Sequence, residues 1–245
     1  MGREVASNTA NTDVLVHHGA TDAPAVDVVE TGAGAGTIVA NASYGDFAPY
    51  LELATADYVL QVRAAGASSA VAAFDAPLAT LGLQGAALTV VASGFLDPSA
   101  NSNGPAFGLF AAPATGGAMV ALPASKSRLQ AIHNSADAAA ATVDVYLNGN
   151  LLLDDFDFRT ASPFIDAPAE VDIQLVIAPA TSSSVADSIA VFNYNLASGE
   201  TYVLVAEGIV SASGYSPATP FDINVYGMGR ESASNSANTD VLVHH

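Results

Sequence analysis

The chain has no cysteine and no tryptophan, and only one lysine and five arginines among its 245 residues. Without cysteine there is no disulfide, no thiolate metal site and no cysteine nucleophile. With no tryptophan and aromatics at 7%, a sugar-stacking platform loses its best material, although eight tyrosines remain. The few basic residues stand against 24 acidic ones, which sets the formal charge at −18. A field of that sign repels phosphate backbones and anionic lipid headgroups, so no nucleic-acid or membrane-surface partner is expected. No apolar run reaches about 18 residues, so membrane insertion through a helix is not expected either. What is present in quantity is apolar and turn-forming: 51% hydrophobic residues, 20 glycines and 12 prolines. That suffices for one large domain or two ordinary ones.

The two ends are copies of each other. Residues 1–18 read MGREVASNTANTDVLVHH and residues 228–245 read MGRESASNSANTDVLVHH, differing only at Val5/Ser232 and Thr9/Ser236. Met1 has an internal counterpart in Met228, so it is not expected to be an initiator, and no signal peptide is expected at this edge. His244-His245 is not a tag remnant, because His17-His18 has the same context. Two arrangements fit the 227-residue period between the copies. The chain is one period of a longer tandem polypeptide, or it is a separate subunit whose duplicated strands substitute for each other between neighbours.

A second repeat lies inside the first. VHHGATDAPAVDV (16–28) resembles IHNSADAAAATVDV (132–145), which pairs His18 with His133, Asp22 with Asp137 and Asp27 with Asp144. Pro49-Tyr50 then matches Pro163-Phe164, Val91-Ala92-Ser93-Gly94 matches Val205-Ala206-Glu207-Gly208, and Phe107 matches Phe221. The period is two divergent copies of one domain.

Each half reads as all-β. Val171, Ile173, Leu175 and Ile177 alternate with Glu170, Asp172 and Gln174, and Tyr58, Leu60 and Val62 lie opposite Gln61 and Arg63. A period of two marks half-buried strands. The runs at 86–94 and 201–208 are more continuously apolar, as central strands are. Asn148-Gly149 between two apolar runs predicts a two-residue hairpin. The expectation is two tandem antiparallel, immunoglobulin-like β-sandwiches. Residues 13–122 and 128–227 form the domains, 1–12 and 123–127 are linkers, and 228–245 starts the next repeat.

The stretches 17–28 and 132–149 are similar to the opening motif of the domain-of-unknown-function 4397 family, which runs roughly Val-His-Ala-Ser-Pro-Asp-Ala-Pro-x-Val-Asp-Val-Tyr. His18, Asp22, Pro24, Asp27 and Val28 match in the first copy, and His133, Ser135, Asp137, Asp144 and Tyr146 in the second. The first copy departs at His17, Ala20, Thr21 and Val29; the second lacks the proline and carries an insertion. The resemblance implies tandem β-sandwiches in secreted or cell-surface prokaryotic proteins, and it brings no catalytic residues.

The candidate chemistry is thin. His17 and His18 are adjacent on a strand and point to opposite faces, so they cannot chelate one ion together. The inward one is expected to hydrogen-bond near Asp22 or Asp27. In Asp154-Asp155-Phe156-Asp157-Phe158, Asp155 and Asp157 are calcium candidates. A strand with its phenylalanines inward and these two aspartates in water explains the run as well. There is no Gly-x-Ser-x-Gly elbow, and Gly32-Ala33-Gly34-Ala35-Gly36 lies where a hairpin or loop is expected, with no helix following. Asn41-Ala42-Ser43 is a lone glycosylation sequon.

These features point to a non-enzymatic structural protein without a cofactor, a repeat unit of an extracellular filament or cell-surface fibre. Its partners are copies of itself, joined head to tail. The contact residues are Asp13, Val14, Leu15 and Val16 and their copies Asp240, Val241, Leu242 and Val243, with Leu15 and Leu242 as interchangeable anchors. The alternative is an adhesin stalk or ligand-binding surface module that contacts a glycan or another cell.

Overall fold

The computed structural model describes residues 2–244; Met1 and His245, the outermost residues of the duplicated segments, lie outside the described residues. The chain divides into two compact units, 1–125 and 126–245.

The first unit holds β1 (Asn11–His18), β2 (Val26–Glu30), β3 (Gly36–Ala42), β4 (Leu51–Ala54), β5 (Asp57–Ala64), β6 (Ala70–Pro77), β7 (Ala87–Ser93), β8 (Gly108–Pro113) and β9 (Val120–Ala121). They form two sheets, ordered β4-β1-β7-β8-β9 and β3-β2-β5-β6. The second unit holds β10 (Lys126–His133), β11 (Thr142–Leu147), β12 (Asn150–Asp157), β13 (Ile165–Pro168), β14 (Asp172–Pro179), β15 (Ala190–Asn195), β16 (Thr201–Glu207) and β17 (Asp222–Tyr226). Its sheets are ordered β13-β10-β16-β17 and β12-β11-β14-β15. Matching β10–β17 to β1–β8 reproduces the first unit's order strand for strand, with β9 as its single addition. The internal duplication is therefore a duplication of topology.

The apolar faces of each pair of sheets meet in one core. In the first unit Val14, Leu88 and Val90 of one sheet pack with Val28, Leu60, Val62 and Phe74 of the other. In the second, Leu129 and Leu204 pack with Val145, Ile173, Leu175 and Ile177. The alternation read along 170–178 is the inward face of β14. Asn148 (φ 49°) and Gly149 (φ 80°) turn the β11–β12 hairpin with Leu147 opposite Asn150, the positive-φ pair that a two-residue turn requires.

Each sandwich differs in one respect from a purely antiparallel one: β1 runs parallel to β7, and β10 parallel to β16. Parallel neighbours need a long crossover, and here the intervening strands of the opposite sheet supply it. Immediately after β7 and β16, Gly94 and Gly208 adopt φ of 89° and 87°. A Cβ at either would overlap the backbone carbonyl of Ala106 or Pro220, so both require glycine.

Residues 1–12 and 123–127 make backbone contacts with the units. Within 1–12, Ala6 N–H donates to Gly85 O, Val5 bridges Ala86, and Asn11 and Thr12 already lie in β1. Within 123–127, Ala124 bridges Phe74 and Ser125 N–H donates to Ala73 O, while Lys126 and Ser127 open β10. Their backbone groups find partners on neighbouring strands and loops. Among the described residues the helical pieces are two single 3-10 turns, Ala138–Ala140 and Val185–Asp187.

Candidate functional site

The motif residues sit at corresponding places and spend their polar atoms on the backbone. His18 and His133 end β1 and β10 and are 2% and 1% exposed. His18 Nε2 lies 3.1 Å from Pro24 O, and His133 Nε2 lies 2.7 Å from Ala140 O. The inward histidine thus bonds a carbonyl of the loop between Asp22 and Asp27, while those two carboxylates are turned to N–H groups. Asp22 accepts from the N–H groups of Leu96 and Asp97, each at 3.0 Å, and Asp137 accepts from those of Val210 and Ser211 at 2.9 and 2.7 Å. Each ties the loop after the first strand to the loop after Gly94 or Gly208. The Asp97 N–H leads in holding the Asp22 carboxyl below the usual range. For Asp137, burial pushes upward, and the bonds from Ala139, Ser211 and Tyr215 outweigh it and hold the carboxyl well below that range.

Asp27 and Asp144 hold bulges. The second-sheet hairpin carries a left-handed residue at Asn41 (φ 51°) in one unit and Asp155 (φ 50°) in the other. The N–H of each donates to the motif carboxylate across the strand pair, Asn41 to Asp27 at 2.7 Å and Asp155 to Asp144 at 3.1 Å. The Gly32–Gly36 run is the β2–β3 hairpin loop, held by the buried Glu30 carboxylate through Ala33 N–H (2.7 Å) and Ala35 N–H (2.9 Å).

The bulge also decides the acidic cluster. Asp155 is grouped with Asp144 and Asp154, whose carboxylate oxygens all lie within 4.8 Å of one another. Asp157 is apart from them and accepts from Thr142 Oγ1 at 2.6 Å. The left-handed residue breaks the strict alternation that would have set Asp155 beside Asp157. Both oxygens of Asp144 already accept hydrogen bonds, from Asp155 N–H and from Ser182 Oγ at 2.5 Å. His17 and His18 face opposite ways as expected: His17 stacks on Phe47 with ring centroids 4.2 Å apart.

The duplicated segment takes two forms. In the first copy Arg3 donates to Asp13 at 2.5 Å, Ser7 N–H donates to Asp13 at 2.8 Å, and Asn8 closes a turn on Ala10 and Asn11. In the second, Arg230 and Ser234 hold Asp240, and Asn235 closes the same turn on Ala237 and Asn238. The clasp is the same, bond for bond. Beyond it the copies part. Asp13–His18 lies within β1, between β4 and β7, with Val14 6% exposed. Asp240–His244 has no strand partner, and Val241, Leu242 and Val243 are 76%, 63% and 84% exposed. Val14 and Val16 supply the apolar contacts of β1 with the core. Leu15, expected as the anchor, falls on the other face because successive strand residues alternate.

A feature that the motifs did not signal lies between the sheets of the first unit: an apolar cavity of about 390 Å³, against about 30 Å³ in the second unit. The strand registers supply a reason. Ala42 faces Val26 where the second unit sets Phe156 against Val143, and Val39 faces Val28 where it sets Leu153 against Val145.

The family model described as "Domain of unknown function (DUF4397)" matches residues 12–140. No curated protein matches the chain significantly. Solved structures with some likeness bear the name "putative cell adhesion protein". One from Bacteroides eggerthii DSM 20697 is 9% identical, with 92% of this chain and 97% of that one covered at a TM-score of 0.24. One from Bacteroides ovatus ATCC 8483 is 11% identical, with 91% and 99% covered at 0.19. TM-scores of this size carry no argument about fold or function. The family match covers the whole first copy and the motif loop of the second, over more than half the chain; the chain belongs to the DUF4397 family.

Proposed function

We propose that this chain is a non-enzymatic structural repeat of an extracellular filament or surface fibre, joined to its neighbours head to tail through residues 228–245. One observation carries the reading: the second copy of the segment keeps the whole clasp of the first while its strand has no sheet. A clasp of one arginine, one aspartate and a tight turn sets the direction of the strand that follows. Val241 and Val243 then stand ready for the places that Val14 and Val16 hold. Full burial of a valine-sized side chain contributes roughly 1.5–3 kcal/mol, and the ladder bonds of strand addition supply the register.

The slot between β4 and β7 is already filled by β1, whose sequence from residue 11 onward is that of the tail. Exchange of one for the other in a closed subunit gains almost nothing. The gain is net only where the tail starts a further repeat or meets a unit that lacks its own β1. Extracellular placement is drawn from the family resemblance, and a non-enzymatic role agrees with motif carboxylates that are engaged by backbone N–H groups.

The test removes residues 1–18. The shortened chain should polymerise in solution, each tail filling the next chain's vacant slot, and form strings visible by electron microscopy. The chain lacking both 1–18 and 228–245 should not. Monomers in the first case would overturn the strand-addition reading. On native surface material, denaturing electrophoresis separates the two arrangements: a band near 24.6 kDa means exchanging subunits, and much larger bands mean a continuous array.

A further inference from the structure

We propose that the cavity between the sheets of the first unit is a binding site for a neutral, hydrocarbon-bodied small molecule. The inference is independent of how copies are joined. Its first ground is volume. A cavity of about 150 Å³ lined by aliphatic side chains holds benzene. The cavity here, about 390 Å³, scales to a guest of up to about sixteen non-hydrogen atoms and falls within the range of small-molecule sites.

The second ground is the chemistry of the wall. No aspartate, glutamate, lysine or arginine is among the lining residues, so a carboxylate or ammonium head would lose its hydration with nothing in return. The polar residues in the lining are Tyr58, His17 and His18, of which His17 turns its ring to Phe47 on the other face of the strand. Tyr58 Oη donates to Ala54 O at 2.6 Å, and His17 Nδ1 lies 3.0 Å from Asp46 O. His18 differs. Its Nε2 is matched to the Pro24 carbonyl, which makes Nε2 the N–H and leaves Nδ1 as an acceptor. That Nδ1 is buried and has no hydrogen-bond partner among the described residues. That nitrogen has no surface open to the cavity, so it offers a guest no polar contact, and the wall suits a guest that is apolar and neutral.

The third ground is the second unit, which is the same sandwich without the site. There the imidazole of His133 lies beside the Phe156 ring at 5.9 Å, and Nδ1 accepts from Ser135 N–H at 3.3 Å. The first unit has Ala42 at the Phe156 position, which removes the ring from the histidine's side and opens the space in one substitution. The exposed lining residues Leu81 and Val120 mark where a guest would enter.

The test uses the full chain and the neutral fluorophore 1-aminoanthracene, displaced by 1-decanol. Saturable binding at one site per chain is expected, with 1-decanol competing at least about tenfold better than decanoate, whose charged head the wall cannot solvate. Ala42→Phe, which fills the cavity as the second unit does, should weaken probe binding at least about tenfold and leave the melting temperature equal or higher. Val39→Leu, a smaller filling, should weaken it less, and it reads the same point should the phenylalanine variant misfold. No saturable binding, unchanged binding in a folded filled variant, or equal competition by decanoate would each overturn the proposal.

Discussion

At the residue scale, the motif is a set of backbone fasteners. Asp22 and Asp137 close loops, Asp27 and Asp144 hold left-handed bulge residues, and the two histidines close the loop that carries them. The lowered carboxylates have a consequence with a definite sign. Bonds from the Gly66 and Asn41 N–H groups hold Asp27 below its usual range, as others do Asp22 and Asp137. Their stabilisation is complete above the unfolded carboxylate value near 3.9 and is lost as pH falls through the folded values. Burial lowers the His133 value, so its contribution is complete above about 6.5 and declines below. Urea unfolding should therefore show a mild loss between pH 7 and 4 and a steep one below about pH 4. Gly208→Ala meets both a positive φ and the Pro220 carbonyl, and should cost about 2–4 kcal/mol; Gly94→Ala, against Ala106, should match it. Urea midpoints of the two variants check this.

At the element scale, the strand copies make a matched pair. Val14 and Val241 occupy the same place in the same eight-residue sequence, yet one is 6% exposed and the other 76%. Val14→Ala should destabilise the first unit by about 2 kcal/mol. Val241→Ala should change the stability of the isolated chain by less than about 0.5 kcal/mol. Calorimetry of the two variants reads both. The period-two patterns of β5 and β14 and the Asn148-Gly149 turn were legible in the sequence, since local residue order alone sets them. The bulges at Asn41 and Asp155 were not, because a left-handed residue stabilised by a carboxylate on the neighbouring strand depends on a cross-strand partner. That miss misdirected the acidic pair, and it also concealed the alignment that exposes Ala42 opposite Phe156.

At the scale of the whole molecule, two units of one topology carry charge of one sign. With −18 and a pI near 4.1, copies repel at neutral pH. Screening is effective beyond about 10 Å at 0.1 M salt. Light scattering from concentrated protein should rise with added sodium chloride at pH 7, and rise without it as pH approaches 4. Contacts between copies then have to come from apolar and ladder interactions, since six basic residues cannot pair 24 acidic ones.

The sequence by itself determined the duplication at both levels, the all-β class, the family motif and the opposite facing of His17 and His18. These follow from residue identity, spacing and the strand's period of two, which need no knowledge of distant partners. Only the tertiary structure decided the parallel β1–β7 and β10–β16 pairs, the partners of the motif carboxylates, the cavity beside Ala42 and the divergent fates of the two terminal copies. Each depends on which segments meet across a sheet or between sheets. The strand at 11–18 and its copy at 238–245 make the reason plain: their residues are the same, and the pairing of the first with β4 and β7 sets them apart.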